Sequence, residues 1–89
     1  MAEDLWTIGR QRLDQHDATP ALRGVLENDL RAAQPLLDVA PERWSEARAN
    51  VHLLIDTMAA IAADQSRLQL DEEVYGVARV RLCPIFPIC

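Results

Sequence analysis

Residues 41–67 read PERWSEARANVHLLIDTMAAIAADQSR and carry the strongest helical pattern of the chain. Apolar side chains recur there every three or four residues over about five turns, which is the spacing of one buried helical face. Proline at the start of this stretch suits the first turn of a helix, where its missing N–H costs nothing. We therefore expect one long helix over 41–67 that forms the spine of the fold.

Two shorter helices are expected before this spine, over 3–16 and 20–34. The second follows Thr19, a residue type that caps helices, and it starts with proline. Because Pro35 disfavours helical geometry at Gln34, we expect the second helix to end or kink there. The core residues that these patterns predict are Leu22, Leu26, Leu30, Val51, Leu54, Ile55 and Met58.

The chain changes character after residue 70. A short acidic run is followed over 74–82 by a segment rich in β-branched residues, in which Ala78, Val80 and Leu82 alternate with Arg79 and Arg81, a pattern typical of a strand. The predicted fold is therefore all-α, a small three-helix bundle followed by an extended strand-like C-terminal arm. Since three helices offer a strand no partner, the arm is expected to join a sheet of another protein. The predicted divisions are a helical recognition domain at 1–70, a junction and strand-like linker at 71–82, and a Cys-rich tail at 83–89.

Length and charge narrow the function classes. The 89 residues suffice for one domain, and nine arginines against fourteen acids give a formal net charge of −5. Such a balance argues against a nucleic-acid-binding role, which needs a basic face. No apolar run approaches the roughly 20 residues of a membrane-spanning helix. The acidic N-terminus is unlike a secretory signal, so we expect a cytoplasmic protein, with export of a mature product left open.

Patterns typical of catalytic or cofactor sites are lacking in the sequence. The three glycines are scattered, and no phosphate-binding loop or nucleophile motif occurs. Two cysteines are too few for a closed zinc site and suit at most a two-coordinate soft ion. His16 and His52 have no spacing that links them to each other or to the cysteines. We therefore expect no enzymatic activity, no cofactor and no metal.

The last seven residues, CPIFPIC, hold both cysteines, two prolines and no charged side chain. A helical body, an acidic junction, a strand-like link and a compact Cys-rich end together resemble the precursor of a ribosomally synthesised, post-translationally modified peptide. The resemblance is one of organisation and covers the whole chain. It implies that the body is a leader that binds a modifying enzyme or recognition protein, in part by strand addition through 74–82. It also implies that Cys83 and Cys89 are the residues modified.

The composition of the tail limits the chemistry it can undergo. No Ser or Thr follows Ser66, which excludes lanthionine formation in the tail, and no Asp, Glu or Lys follows Glu73, which excludes isopeptide closure. Thiol oxidation, heterocyclisation onto the preceding carbonyl and C-terminal decarboxylation all remain open. A Cys83–Cys89 disulfide would close a small ring, but a reducing cytoplasm opposes it.

Partner contacts are expected along the arm and the tail. In an alternative interpretation, the chain is a small non-catalytic subunit that docks into a larger partner through its apolar tail, with Ile85, Phe86 and Ile88 as anchors. The tail can also simply pack on its own bundle. The predicted partner-binding residues are Val74, Tyr75, Val77, Arg79, Val80, Arg81, Leu82, Ile85, Phe86 and Ile88.

Overall fold

The computed structural model describes residues 4–88, and within that range the chain forms four α-helices and no strand. The predicted all-α class is confirmed, but the bundle has a fourth helix that the sequence patterns did not predict. The helices are α1 (Leu5–Leu13), α2 (Pro20–Asp38), α3 (Trp44–Asp64) and α4 (Glu72–Leu82), with a single 3₁₀ turn (Pro41–Arg43) before α3. Helix α1 packs on α2 and α3, and α4 packs on α3 and α2.

Side-chain caps fix the starts of three helices. The Asp4 carboxylate accepts a hydrogen bond from the Thr7 backbone N–H at 2.7 Å, which begins α1 two residues later than predicted. Thr19 caps α2 through the N–H of Leu22 at 3.2 Å, as the sequence predicted. Asp71 caps α4 in the same way. Each cap satisfies a backbone donor that the helix itself leaves unpaired.

Helix α2 runs through Pro35 to Asp38, so it does not end at Gln34, one of the two outcomes expected there. Leu37, one turn beyond Ala33 on the same face, is only 3% exposed, and its burial favours continuing the helix. Gln34 also stabilises the contact between α1 and α2, because its side-chain Oε1 accepts a hydrogen bond from the Leu5 N–H at 2.7 Å. These gains outweigh the single helical hydrogen bond that proline removes.

Helix α3 is the central element, as predicted, although its first turn is 3₁₀ and its end lies at Asp64. All seven predicted core residues are buried, none more than 4% exposed. The helix ends in a Schellman motif, in which Ser66 N–H donates to the Ala63 oxygen and Arg67 N–H to the Ala62 oxygen. Ser66 takes the left-handed position of this motif, with φ 56°.

The strand predicted over 74–82 is wrong, because these residues lie in helix α4. The helix buries Val74, Tyr75 and Ala78, which are spaced to lie on one helical face. Acids lie in its first turn and arginines in its last turn, where they complement the helix dipole. A helix pairs its own backbone groups, whereas a strand here would have needed a sheet from elsewhere.

Candidate functional site

The C-terminal segment folds back onto the helices in a series of turns. Ile85 N–H donates to the Leu82 oxygen at 2.8 Å, and Ile88 N–H donates to the Ile85 oxygen at 2.7 Å. We refer to residues 83–88 as the tail segment. It contacts the same helical bundle from which it emerges, one of the arrangements that the sequence left open.

Ile88 is the deepest side chain of the tail segment. It is 7% exposed and belongs to the same hydrophobic core as the helices. Together with Pro87 it borders a groove between α2, α3 and α4, to which Ala33, Leu54 and Tyr75 contribute and in which about 210 Å³ remains open. We refer to this feature as the tail groove. An isoleucine seated there gains on the order of 1.5–3 kcal/mol from burial.

Phe86 is held from two sides by residues at the start of α3. The Arg43 guanidinium lies over its ring, 3.7 Å from the centroid, which is a favourable cation–π geometry. The Asn50 side-chain amide donates a hydrogen bond to the Phe86 backbone oxygen. Phe86 itself is half-buried against the core. These contacts fix the middle of the tail segment while Ile88 fixes its end.

A polar cluster lies beside the tail groove and joins α2 to α4. The Tyr75 hydroxyl donates to the Asp29 carboxylate, which also accepts from Arg79 Nη1 at 3.2 Å. Burial of Tyr75, and then its hydrogen bond to Asp29, raise the pKa of the phenol above its ordinary value. The phenol therefore stays neutral and donates its hydrogen bond to Asp29, and the cluster forms one side of the tail groove.

Cys83 lies at the C-terminal end of α4, where its N–H donates to the Arg79 oxygen at 3.0 Å. The residue is exposed and its sulfur is disulfide-bonded. The sequence contains one other cysteine, Cys89, which lies outside the described residues. The sequence had led us to expect no disulfide, because a reducing compartment opposes such a bond.

The predicted partner-binding residues fall into three groups. Val74, Tyr75 and Ile88 are buried within the chain itself. Leu82, Ile85 and Phe86 are half-buried where the tail segment meets the helices. Val77, Arg79, Val80 and Arg81 are exposed on α4, with Val80 at 78%. The strand interpretation placed all of these residues along one edge of the arm. In the fold, some of them lie in the core and others on the surface.

Three residues that hold the tail segment or its groove were not predicted from the sequence. Arg43 and Asn50 lie two turns apart on the spine, and Asp29 lies on α2. They lie 36 to 50 residues along the chain from the groups that they contact in the tail segment and α4. No local pattern marks such contacts, since each residue type is ordinary on an exposed helical face.

Residues 4–88 contain neither a cluster of metal-ligating side chains nor a membrane-spanning helix. In this range no three His, Cys, Asp or Glu side chains lie close enough to hold a metal ion. None of the four helices is long and apolar enough to cross a membrane. His52 is half-buried, and its partial burial lowers its pKa, with the nearby Arg12 and Arg48 acting in the same direction.

Comparison with known proteins finds no family model that matches this chain, no similar curated protein and no similar solved structure. The features that distinguish this chain are the cysteine-bearing tail segment, the tail groove and the exposed face of α4.

Proposed function

We propose that this chain is a precursor substrate, in which the helical body presents a C-terminal peptide to a modifying enzyme. Cys83 and Cys89 are the residues that the enzyme changes. The observation that carries the proposal is the position of Cys83, exposed at the junction between the last helix and an uncharged tail. An enzyme can approach this sulfur without unfolding the bundle.

The disulfide of Cys83 must be reduced before any thiol chemistry can take place. A dithiol reductant must first transfer two electrons and two protons to the disulfide, which leaves free thiols and an oxidised reductant. The thiolate is then the strongest nucleophile in the tail segment. Heterocyclisation with loss of water is one candidate reaction. The others are thiol oxidation, with two electrons passed to an acceptor such as dioxygen or an enzyme-bound flavin, and decarboxylation at Cys89, with loss of carbon dioxide and of two electrons to the same class of acceptor.

Heterocyclisation at Cys83 would use the carbonyl of Leu82. That oxygen accepts a hydrogen bond from Ile85 N–H at 2.8 Å, so the carbonyl is engaged in the first turn of the tail segment. The enzyme must open this turn before the thiol can attack. The proposal therefore requires an enzyme that unseats the tail, and the limited set of contacts that hold the tail makes this feasible.

Recognition in this proposal rests on the folded body and does not use strand addition. Residues 74–82 form α4, whose Val74 and Tyr75 are buried in the core and are not available to pair with a sheet. Residues 1–73 carry seven arginines against fourteen acids. A modifying enzyme with a basic recognition surface would complement this body.

The alternative role, docking of the tail into a larger partner, finds less support. Its main anchor, Ile88, is already buried in the tail groove, and Phe86 is held by Arg43 and Asn50. A docking partner would have to displace these contacts and replace them with tighter ones of its own, whereas a modifying enzyme needs the tail displaced only during turnover. We therefore favour the substrate role.

Mass spectrometry of the chain from its native producer tests the proposal. The sample is reduced and alkylated first, so that a disulfide is not mistaken for a modification, and the C-terminal fragment is then sequenced. A mass change at Cys83 or Cys89, or loss of the tail, is expected. An unmodified full-length chain recovered in fixed ratio with a larger protein would instead establish the subunit role. As a matched control, Cys83→Ser should abolish modification at that position without weakening binding to the enzyme.

A further inference from the structure

Helix α4 exposes a continuous stripe that the bundle does not use. It is formed by Glu73, Gly76, Val77, Val80 and Arg81, whose spacing of three, four, seven and eight residues places them on one helical face. We refer to these five residues as the outer stripe. Val80 is 78% exposed and Val77 39% exposed, and the stripe forms a shallow, largely apolar surface on α4. Such spacing is typical of a helix that pairs with another helix.

The glycine at the centre of the stripe supports this interpretation. A Cβ added at Gly76 would meet no atom within 4 Å, so the bundle itself does not require glycine here. An exposed glycine inside a helix makes that helix less stable than alanine would. Its benefit is that another backbone can approach closely, between the two exposed valines.

The charges at the two ends of the stripe indicate which partner fits. Glu73 lies in the first turn of α4 and Arg81 in the last. If a second copy of α4 packs antiparallel, each Glu73 faces the Arg81 of the other copy, and Val77 lies near the twofold axis. A parallel arrangement would place like charges together, and antiparallel packing also opposes the two helix dipoles.

Both charged groups are available for such a contact. The Glu73 side chain is 79% exposed, although one of its oxygens accepts from Arg67 Nη2 at 2.8 Å. Arg81 makes no ion pair with any residue between 4 and 88. An approaching carboxylate would therefore give Arg81 the counter-charge that its own bundle does not provide.

We infer that the outer stripe is a homodimer contact, in which two copies of α4 pack antiparallel around Gly76 and Val77. Two valines and a glycine bury less area than the roughly 800 Å² per partner of a standard stable interface. The dimer is therefore weak. This inference does not depend on the proposed function.

Sedimentation equilibrium of the full chain, from micromolar to millimolar concentration, tests the inference. Dimerisation is expected to weaken roughly tenfold in Glu73→Arg and in Arg81→Glu, because each change places like charges at both ends of the symmetric contact. The double variant should restore the wild-type dissociation constant. Val80→Asp should abolish the dimer, whereas Val39→Asp, at an equally exposed valine off the stripe, should leave it unchanged.

Two results would overturn the inference. One is a wild-type chain that stays monomeric over the whole concentration range. The other is a double charge variant as weak as the single variants, which would exclude the antiparallel register. Circular dichroism of every variant checks that helix content is kept, which separates loss of pairing from loss of folding.

Discussion

Asn50, on the spine helix, donates a side-chain hydrogen bond to the backbone oxygen of Phe86, 36 residues further along the chain. The bond connects the middle of the bundle to the uncharged tail segment. Asn50 is only half-buried, yet it satisfies a carbonyl to which no backbone N–H between residues 4 and 88 donates. The position of the tail therefore depends on a residue that belongs to the body.

Replacing Asn50 by Asp should loosen the tail segment. The change keeps the shape of the side chain but removes its donor, so that the Phe86 oxygen faces a carboxylate, at a cost of about 1–3 kcal/mol. Hydrogen exchange of the Ile88 amide, which donates to Ile85, is the measurement, and faster exchange is expected. Asn28→Asp on the exposed face of α2 is the matched control. Equal protection of Ile88 in both variants would contradict the assigned role of Asn50.

The spine and the second helix were predictable because their apolar residues follow a single helical period. Helix α4 was predicted as a strand because its sequence is rich in β-branched residues and because Ala78, Val80 and Leu82 alternate with Arg79 and Arg81. The signals of a helix were nevertheless present, with Asp71 as a cap, acids in the first turn and arginines in the last. These terminal signals carry more information about α4 than its β-branched composition does.

The tail groove could not have been predicted from local patterns. It exists only where three helices meet, and Ile88 fills it from a segment whose prolines and lack of charge predict no regular structure. Both the contact of Phe86 with Arg43 and that with Asn50 depend on the chain folding back onto α3. Tertiary packing of this kind becomes visible only once the helices are placed.

Glycine at position 66 should stabilise the fold. Ser66 has φ 56°, in the left-handed region that costs a residue with a Cβ about 1–2 kcal/mol. Ser66→Gly removes this cost, and after the added entropy of the unfolded chain a gain of about 0.5–1 kcal/mol in unfolding free energy is expected. Urea denaturation is the measurement. The same change at Ser45, inside α3, should instead destabilise the protein, and a loss at both positions would count against the argument.

Alanine substitution at Gly9 and at Gly24 should change the free energy of unfolding in opposite directions. A Cβ at Gly9 would lie 2.6 Å from Leu30 Cδ1, in a contact between α1 and α2, whereas a Cβ at Gly24 would meet nothing within 4 Å. Gly24→Ala is expected to stabilise by about 0.5–1 kcal/mol through helix propensity. Gly9→Ala should lower the free energy of unfolding by about 1 kcal/mol, because overpacking against Leu30 costs more than helix propensity gains. Thermal unfolding of both variants checks the difference, and equal stabilisation would show that Leu30 can move aside freely.

Acid should weaken the start of α4. The Val74 N–H and the Arg67 guanidinium both hold the pKa of Asp71 below its ordinary value of 3.8. Because the folded pKa is lowered, the carboxylate contributes stability that is present above about pH 4 and lost as the pH falls through the folded pKa. Asp71→Asn keeps a capping oxygen but does not titrate. The unfolding free energy of this variant should therefore fall less than that of the wild-type protein between about pH 5 and about pH 2. Asp64→Asn is the control and should keep the wild-type slope.

Reduction of the disulfide should release the tail segment without unfolding the bundle. Cys83 is disulfide-bonded at the end of α4, and pairing with the chain's other cysteine would close a ring of residues 83–89. By the chain-entropy relation, a loop of this length lowers the entropy cost of seating Ile88 by roughly 2 kcal/mol. Dithiothreitol should therefore accelerate exchange of the Ile88 amide by about thirtyfold or more, while amides of α3 stay protected. Cys83→Ser should exchange equally fast without reductant and should not respond to it. Unchanged protection of Ile88 after complete reduction would show that the groove contacts alone hold the tail.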